Sequence, residues 1–351
     1  MRDNLPSWAT FLPKSTPNQS SMKEEEFELR LRAYHRATEL LQISYKGSLQ
    51  KYLLPCLEKI FQFLQRFTPG RKRKRIDLVS IETSEDLCTS LVTLLPLAIL
   101  KLSISTQDRT QIVSMIRQYF TKAVVEPEMR RTDPYRPVVC ILQDTIKSKM
   151  KSRINHHFYL REILFQCLQQ ERHSNAWSHL LENSHGASMY QSILEWARST
   201  TTYNAILIVF ENPEATPSET LSAFMNSITN LRSIEGVPIS MIMCSTYQGL
   251  VENKLSALTP YAMGGRAGVV IESFDLFQKA NVYDEFVSTL YMESNERRYP
   301  ILLSGDLLHS MRQDFYLHHN SIAQVYVQFK SALAHHFVKR GGLFSSVTCL
   351  L

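Results

Sequence analysis

The chain has 351 residues, 44% of them apolar and 21% charged, and a formal net charge of +6. Those values fit a globular protein with a full core and two or three structural units, and they set disordered and fibrous classes aside. The charge permits nucleic-acid contact without demanding it, because much of the excess sits in one short cluster.

No apolar run approaches the roughly 20 residues of a membrane span, and Met1-Arg-Asp-Asn-Leu-Pro lacks the charged and apolar regions of a signal peptide. Cys56, Cys88, Cys140, Cys167, Cys244 and Cys349 show no C-x-x-C spacing. Several lie in apolar segments, where a thiol behaves as a small hydrophobe, so a reducing compartment is the simplest reading. The expectation is a soluble intracellular protein with no membrane partner. Asn18-Gln-Ser matches a glycosylation acceptor but reads as part of a polar tail.

Residues 1–22, with Pro6, Pro13 and Pro17, read as a flexible arm. Residues 23–67 read as a helical region. Phe27, Leu31, Tyr34, Thr38 and Leu41 recur at helical spacing behind Glu24, Glu25 and Glu26, and a second run from Leu49 to Phe67 carries Leu53, Cys56, Leu57, Ile60, Phe61 and Leu64 on one face. It stops at Thr68-Pro-Gly70, followed by the five cations Arg71, Lys72, Arg73, Lys74 and Arg75.

The period then changes. Ile76–Ile81 predicts a strand, Ser84–Leu95 a short helix, Ala98–Ser103 a strand and Gln107–Phe120 a helix. The stretch around 121–185 reads as a helical insertion, polar and basic, with its clearest helix at Ile154–Gln170 and no strong strand signal. Alternation resumes with a helix at Met189–Arg198, a strand at Ala205–Glu211 and a helix at Ser218–Leu231. A strand at Val237–Cys244, a helix near Gln248–Ala257 and a strand at Val269–Ser273 complete it.

Residues 76–273 are therefore expected to form an α/β domain built on a parallel sheet. Residues 274–342 predict three helices, Leu276–Tyr291, Ser304–Phe315 and Ser321–Val338, closing at Gly341-Gly342 before an apolar tail at 343–351. A sheet domain followed by a small helical bundle is the outline of an ATPase core with its lid.

Ile206-Leu-Ile-Val-Phe-Glu211-Asn-Pro reads as a buried parallel strand that delivers a carboxylate at its end, as nucleotide-binding α/β folds present a magnesium-associated acid. No phosphate loop precedes it. Such a loop needs glycines, a Lys and a Ser or Thr, whereas Glu82-Thr-Ser-Glu-Asp-Leu-Cys-Thr-Ser90, after the first predicted strand, has no Gly, no Lys and three carboxylates. Carboxylates there repel a triphosphate.

Asn212 stands where a second acid would orient water, and an amide is no general base. Glu211 is then either the remnant of a magnesium site or a cap of the following turn. Ser245 and Thr246, after the next strand, lie where a polar sensor would, or cap a loop.

Other schemes fare worse. The adjacent pairs His156-His157, His318-His319 and His335-His336 diverge by about 100° on a helix and make poor shared metal ligands. No G-x-S-x-G occurs, and no Cys has the context of a nucleophile. Gly264-Gly-Arg-Ala-Gly268 precedes a strand, so it reads as a turn. The run Arg71 to Arg75 suits phosphate contact, a nuclear import signal or a solvated loop, and sequence does not separate these uses.

Met189-Tyr-Gln-Ser-Ile-Leu-Glu-Trp196-Ala, Ile206–Glu214, Pro238–Cys244 and Tyr326–Phe337 together resemble subunit 3 of the eukaryotic origin recognition complex. The likeness is clearest from residue 189 onward and collinear from Tyr34 to Phe120. It implies a degenerate AAA+-like, RecA-like sheet domain with a helical lid, catalytically inactive, with no cofactor, metal or small-molecule substrate. It further implies a nuclear scaffold beside subunits 2 and 5 that contributes to origin DNA binding and helicase loading. On that reading Glu211, Asn212, Ser245 and Thr246 are remnants of a nucleotide site, and Arg71 to Arg75, with Lys147, Lys149 and Lys151, face nucleic acid.

Family members continue past this point into a further helical insertion and a winged-helix domain, whereas this sequence stops at Cys349-Leu-Leu351, an apolar ending with no terminal cap, as if cut from something longer. Two alternatives are a clamp-loader-like inactive subunit and a divergent AAA+ ATPase.

Overall fold

The computed structural model describes residues 20–67, 93–102, 106–125, 135–143, 156–170, 187–200, 202–246, 268–276, 282–292, 303–319 and 321–339. The predicted strand Ile76–Ile81, the loop 82–90, the cations 71–75, Lys147, Lys149 and Lys151, and the predicted helix near 248–257 lie outside the described residues. So do most of the arm 1–22 and the tail 343–351.

Five strands run in parallel in the order β2-β3-β4-β1-β5. They are β1 (Leu95–Lys101), β2 (Pro137–Leu142), β3 (Ala205–Phe210), β4 (Ile239–Ser245) and β5 (Val269–Asp275). Described helices in chain order are α1 (Ser20–Gln65), α2 (Thr106–Val125), α3 (His156–Gln170), α4 (Ala187–Ser199), α5 (Ser218–Ser233), α6 (Val282–Met292), α7 (Gly305–Asp314) and α8 (Ile322–Lys339). A parallel α/β sheet is the expected fold class, and its strands read as nearly continuous apolar runs because both faces are covered.

The chain divides into two compact units that are not contiguous in sequence. The first takes residues up to Tyr52, the short stretch Ser103–Asp108, and Phe277 onward; the second takes Leu53–Leu102 and Arg109–Leu276.

The second unit holds the sheet. Leu97, Ile99, Val138, Cys140, Ile206, Ile208, Phe210, Met241 and Met243 form one buried face with residues of α3, α4 and α5. Tyr159, Leu160, Ile163, Leu164, Cys167 and Leu168 are the buried stripe of α3, at helical spacing. Each such aliphatic side chain contributes about 1.5–3 kcal/mol on burial. Alternate strand residues Ala98, Leu100, Leu207, Val209, Ile242 and Cys244 are buried on the other face. Phe61 of α1 meets Phe120 of α2 and Tyr135 at ring-centroid distances of 6.1 and 5.7 Å.

A buried cation closes this unit. Arg232 donates to the carbonyl of Phe67 at 2.6 Å and to that of Ile239, joining the end of α1 to the start of β4. Burial lowers its pKa to about 10, so it stays protonated at neutral pH. Gly236, at φ 72°, takes the left-handed turn that ends α5.

In the first unit α6 and α8 pack with the N-terminal part of α1, and α7 packs on α6. Phe286 stands edge-on to Phe329 with centroids 5.8 Å apart, and Tyr283 donates to the Leu308 carbonyl at 2.7 Å. Asp108 is fully buried. It accepts from Tyr45 Oη at 2.9 Å, Ser321 Oγ at 2.6 Å and the Ala323 N–H at 2.9 Å. Ser321 in turn accepts from the Gln324 N–H at 3.2 Å, so the start of α8 is capped twice.

Several expectations are corrected. β2 lies within the supposed helical insertion; its six residues, Pro-Val-Val-Cys-Ile-Leu, are too short a run to stand out between polar, basic flanks. The strand expected at Ala98–Ser103 starts three residues earlier, at Leu95, because the leucines before it were assigned to a helix. The two helical runs of 23–67 are one 46-residue helix that begins at Ser20 and passes through Pro55. Tyr45, Ser48 and Leu49 are buried and carry its apolar face across the polar stretch that separates the runs.

β2 is an edge strand, and α3 covers that edge with side-chain amides. Gln166 donates to the Ile141 carbonyl and accepts from the Ile141 N–H, both at 2.7 Å. Gln170 makes the same pair with Val139, at 2.8 and 3.4 Å. Two glutamines thus satisfy the backbone groups that a neighbouring strand would take. Gln166→Ala with Gln170→Ala leaves these groups to water or to another chain. The double variant is expected to lose about 2 kcal/mol in urea unfolding and to self-associate in sedimentation measurements; unchanged stability and mass would contradict this role.

Candidate functional site

β4 pairs in parallel with β3 on one side and β1 on the other, so the carboxyl ends of all three strands open at one edge of the second unit. In α/β sheets ligands meet the chain at such an edge. The junction after β1 is Leu102-Ser-Ile-Ser-Thr106, which leads into α2. In sequence this junction joins β1, a neighbour of β4, to α2. Like Glu82–Ser90 it contains neither Gly nor Lys.

After β3 the backbone continues its pairing by one residue, as Glu211 N–H donates to the Leu142 carbonyl at 3.0 Å. Glu211 Oε1 then accepts from Thr110 Oγ1, early in α2, at 3.1 Å. Glu211 is therefore tied to α2 rather than capping the turn that follows. Asn212 precedes a short turn at Pro213–Ala215; its side chain makes no capping bond, and its carbonyl accepts from Ala215 N–H at 3.3 Å.

That turn projects Glu214 toward the end of β4. Its carboxylate accepts from Ser245 Oγ at 2.6 Å, Thr246 N–H at 2.6 Å and Thr246 Oγ1 at 2.8 Å. The Arg109 guanidinium, early in α2, stands 3.8 Å away. Side-chain exposure is 8% for Arg109 and 15% for Glu214, so the pair is largely withdrawn from water. Screening there is weak and the attraction is correspondingly strong.

The structure thus brings Glu211, Ser245 and Thr246 into one cluster with Arg109, Thr110 and Glu214, which the sequence did not single out. The hydroxyls of Ser245 and Thr246 serve Glu214 rather than capping a loop. Glu214 left a weak signal, a second acid three residues beyond Glu211 in an Asn-Pro-Glu turn. Arg109 and Thr110 left none, being ordinary polar residues of a helix. Chemically the arrangement is a matched set of donors and acceptors that ties three segments together.

His156 and His157 also depart from expectation. Their rings lie with centroids 3.9 Å apart in the first turn of α3, and burial, with the neighbouring ring, lowers the pKa of His156. Among the described residues no group of three or more His, Cys, Asp or Glu is placed to hold a metal. No described helix is long and apolar enough to cross a membrane.

No family model matches the sequence, and no curated protein matches it. Solved structures do. A chain of Drosophila ORC bound to poly(dA/dT) DNA and Cdc6 aligns with a TM-score of 0.60 at 15% identity, covering 94% of this chain and 46% of that one. The fold is ORC-like. A chain of Drosophila ORC bound to GC-rich DNA and Cdc6 gives 0.60, 15%, 94% and 45%, and one of Drosophila ORC bound to DNA gives 0.59, 14%, 94% and 47%. The chain spans less than half the length of these ORC chains, and at such identity the likeness is one of fold.

Cys244 lies at the end of β4 within reach of this cluster. Burial pushes its thiol up to about 12, with Arg109 lowering and Glu211 raising it to smaller extents. Its thiolate is scarce at neutral pH, and the thiol is fully enclosed. Iodoacetamide at pH 7.5 is expected to leave Cys244 unmodified in the folded chain and to modify it in denaturant, as read by peptide mass spectrometry. Rapid native labelling would contradict the closed edge.

Proposed function

We propose that the chain is a non-catalytic structural subunit of a nuclear origin recognition complex, corresponding to its third subunit. It acts through assembly with other subunits, subunits 2 and 5 foremost, and contributes to origin DNA binding and helicase loading. The observation that carries this reading is the ORC-like fold across 94% of the chain, in structures of complexes that hold DNA and, in several, Cdc6.

Two features support its non-catalytic part. The junction after β1 has no glycine to let main-chain N–H groups wrap a phosphate and no lysine to neutralise one. The acids and hydroxyls after β3 and β4 bond to one another and to α2. Glu211, Asn212, Ser245 and Thr246 are on this reading what remains of a nucleotide site.

Tagged chain recovered from nuclear extract through a moderate salt wash is expected to retain other origin recognition subunits, identified by mass spectrometry. Retention of clamp-loader subunits instead, or of no partner, would overturn the assignment.

The run Arg71 to Arg75 is proposed to contact DNA phosphates within the assembled complex. Neutral residues at all five positions are expected to reduce the magnitude of the slope of log Kobs against log salt by up to about 4.5, given about 0.9 per phosphate contact. An unchanged slope in DNA-binding titrations would remove that role.

A further inference from the structure

Donors from two segments converge on the carboxylate of Glu214: Ser245 Oγ, the Thr246 N–H and Thr246 Oγ1 from the end of β4, and the Arg109 guanidinium from α2. Arg109 is 6% exposed, and its Nε is buried without a hydrogen-bond partner. A withdrawn guanidinium with a donor to spare, beside two hydroxyls and a main-chain N–H, suits a tetrahedral oxyanion as well as it suits a carboxylate.

We infer that Glu214 is a built-in anion that occupies the place a phosphate-class oxyanion would take at this edge. The inference rests on the non-catalytic reading and extends it. The edge is held in a liganded arrangement by the chain's own side chain, with no nucleotide needed to order it. Pro213, at the first position of the turn and with its ring buried, fixes the direction in which Glu214 projects. A tethered carboxylate meets its donors at an effective concentration that dilute free phosphate does not match, so the native chain excludes the free anion.

Removing the carboxylate leaves Arg109 buried and uncompensated, a state that strongly favours a counter-anion from solution. Arg109 and the two hydroxyls then offer phosphate a preformed set of donors. Glu214→Gln removes the charge while keeping most of the shape; Glu214→Ala opens the space as well.

Thermal unfolding of the full chain tests this in sodium phosphate and in sodium chloride of matched ionic strength. Without phosphate both Glu214 variants are expected to unfold below the native chain. With phosphate at tenfold its dissociation constant, the Glu214→Ala midpoint is expected to rise by about 2 °C. The native chain and the Glu214→Ala, Arg109→Met double variant are expected not to respond. If Glu214→Ala does not fold, Glu214→Gln carries the same comparison.

Phosphate stabilisation of neither variant, equal stabilisation of the native chain, or a response that survives loss of Arg109 would overturn the inference. A parallel series with ATP and magnesium separates the two levels. Stabilisation of the native chain by the nucleotide would overturn the non-catalytic reading; a native chain silent to ATP, with Glu214 variants silent to phosphate, would overturn only the built-in anion.

Discussion

The parallel pairing of β4 with both β3 and β1 is the constraint on which the candidate site depends. Parallel strands require crossovers that carry helices over the sheet, and these bury both faces. They also deliver every strand's carboxyl end to the same edge, so residues distant in sequence meet there without long loops. Arg109 and Thr110 arrive from β1 by way of α2, Glu211 and Glu214 from β3, and Ser245 and Thr246 from β4. A slip of one residue in β4 would turn Met241 and Met243 out of their core face and carry Ser245 away from Glu214.

Within that edge, charge is compensated internally. Glu214 has Arg109 and three donors, and Glu211 has Thr110. The same economy of buried polar groups holds elsewhere. Arg232 meets two carbonyls, and the free edge of β2 meets two glutamine amides. Each is a place where an unmatched buried group would cost several times what a matched one contributes.

Legibility in the sequence followed the strength of local pattern. β3 and β4 are uninterrupted apolar runs bounded by turns, and they were found to within two residues. β2 has the same character but only six residues, and it was lost in polar surroundings. Strand order is not written in any local window; only pairing reveals that β1 stands beside β4. The site divided in the same way. Acids and hydroxyls at strand ends are visible from position alone, whereas Arg109 and Thr110 become site residues only when α2 is laid against β3 and β4. The close approach of the His156 and His157 rings depends on side-chain rotamers at a helix start, where the rule of diverging neighbours is weakest.

Asp108 has a consequence for how the chain is made. Its partners stand 63, 213 and 215 residues away, on α1 and at the start of α8. At ribosomal rates of about 5–20 residues per second, some 10–40 seconds separate the emergence of Asp108 from that of Ser321 and Ala323. Throughout that interval the apolar stripe formed by Tyr34, Leu41, Tyr45 and Leu49 lacks the C-terminal helices of its unit. The N-terminal part of α1 is thus synthesised well before the helices of its own unit that pack with it.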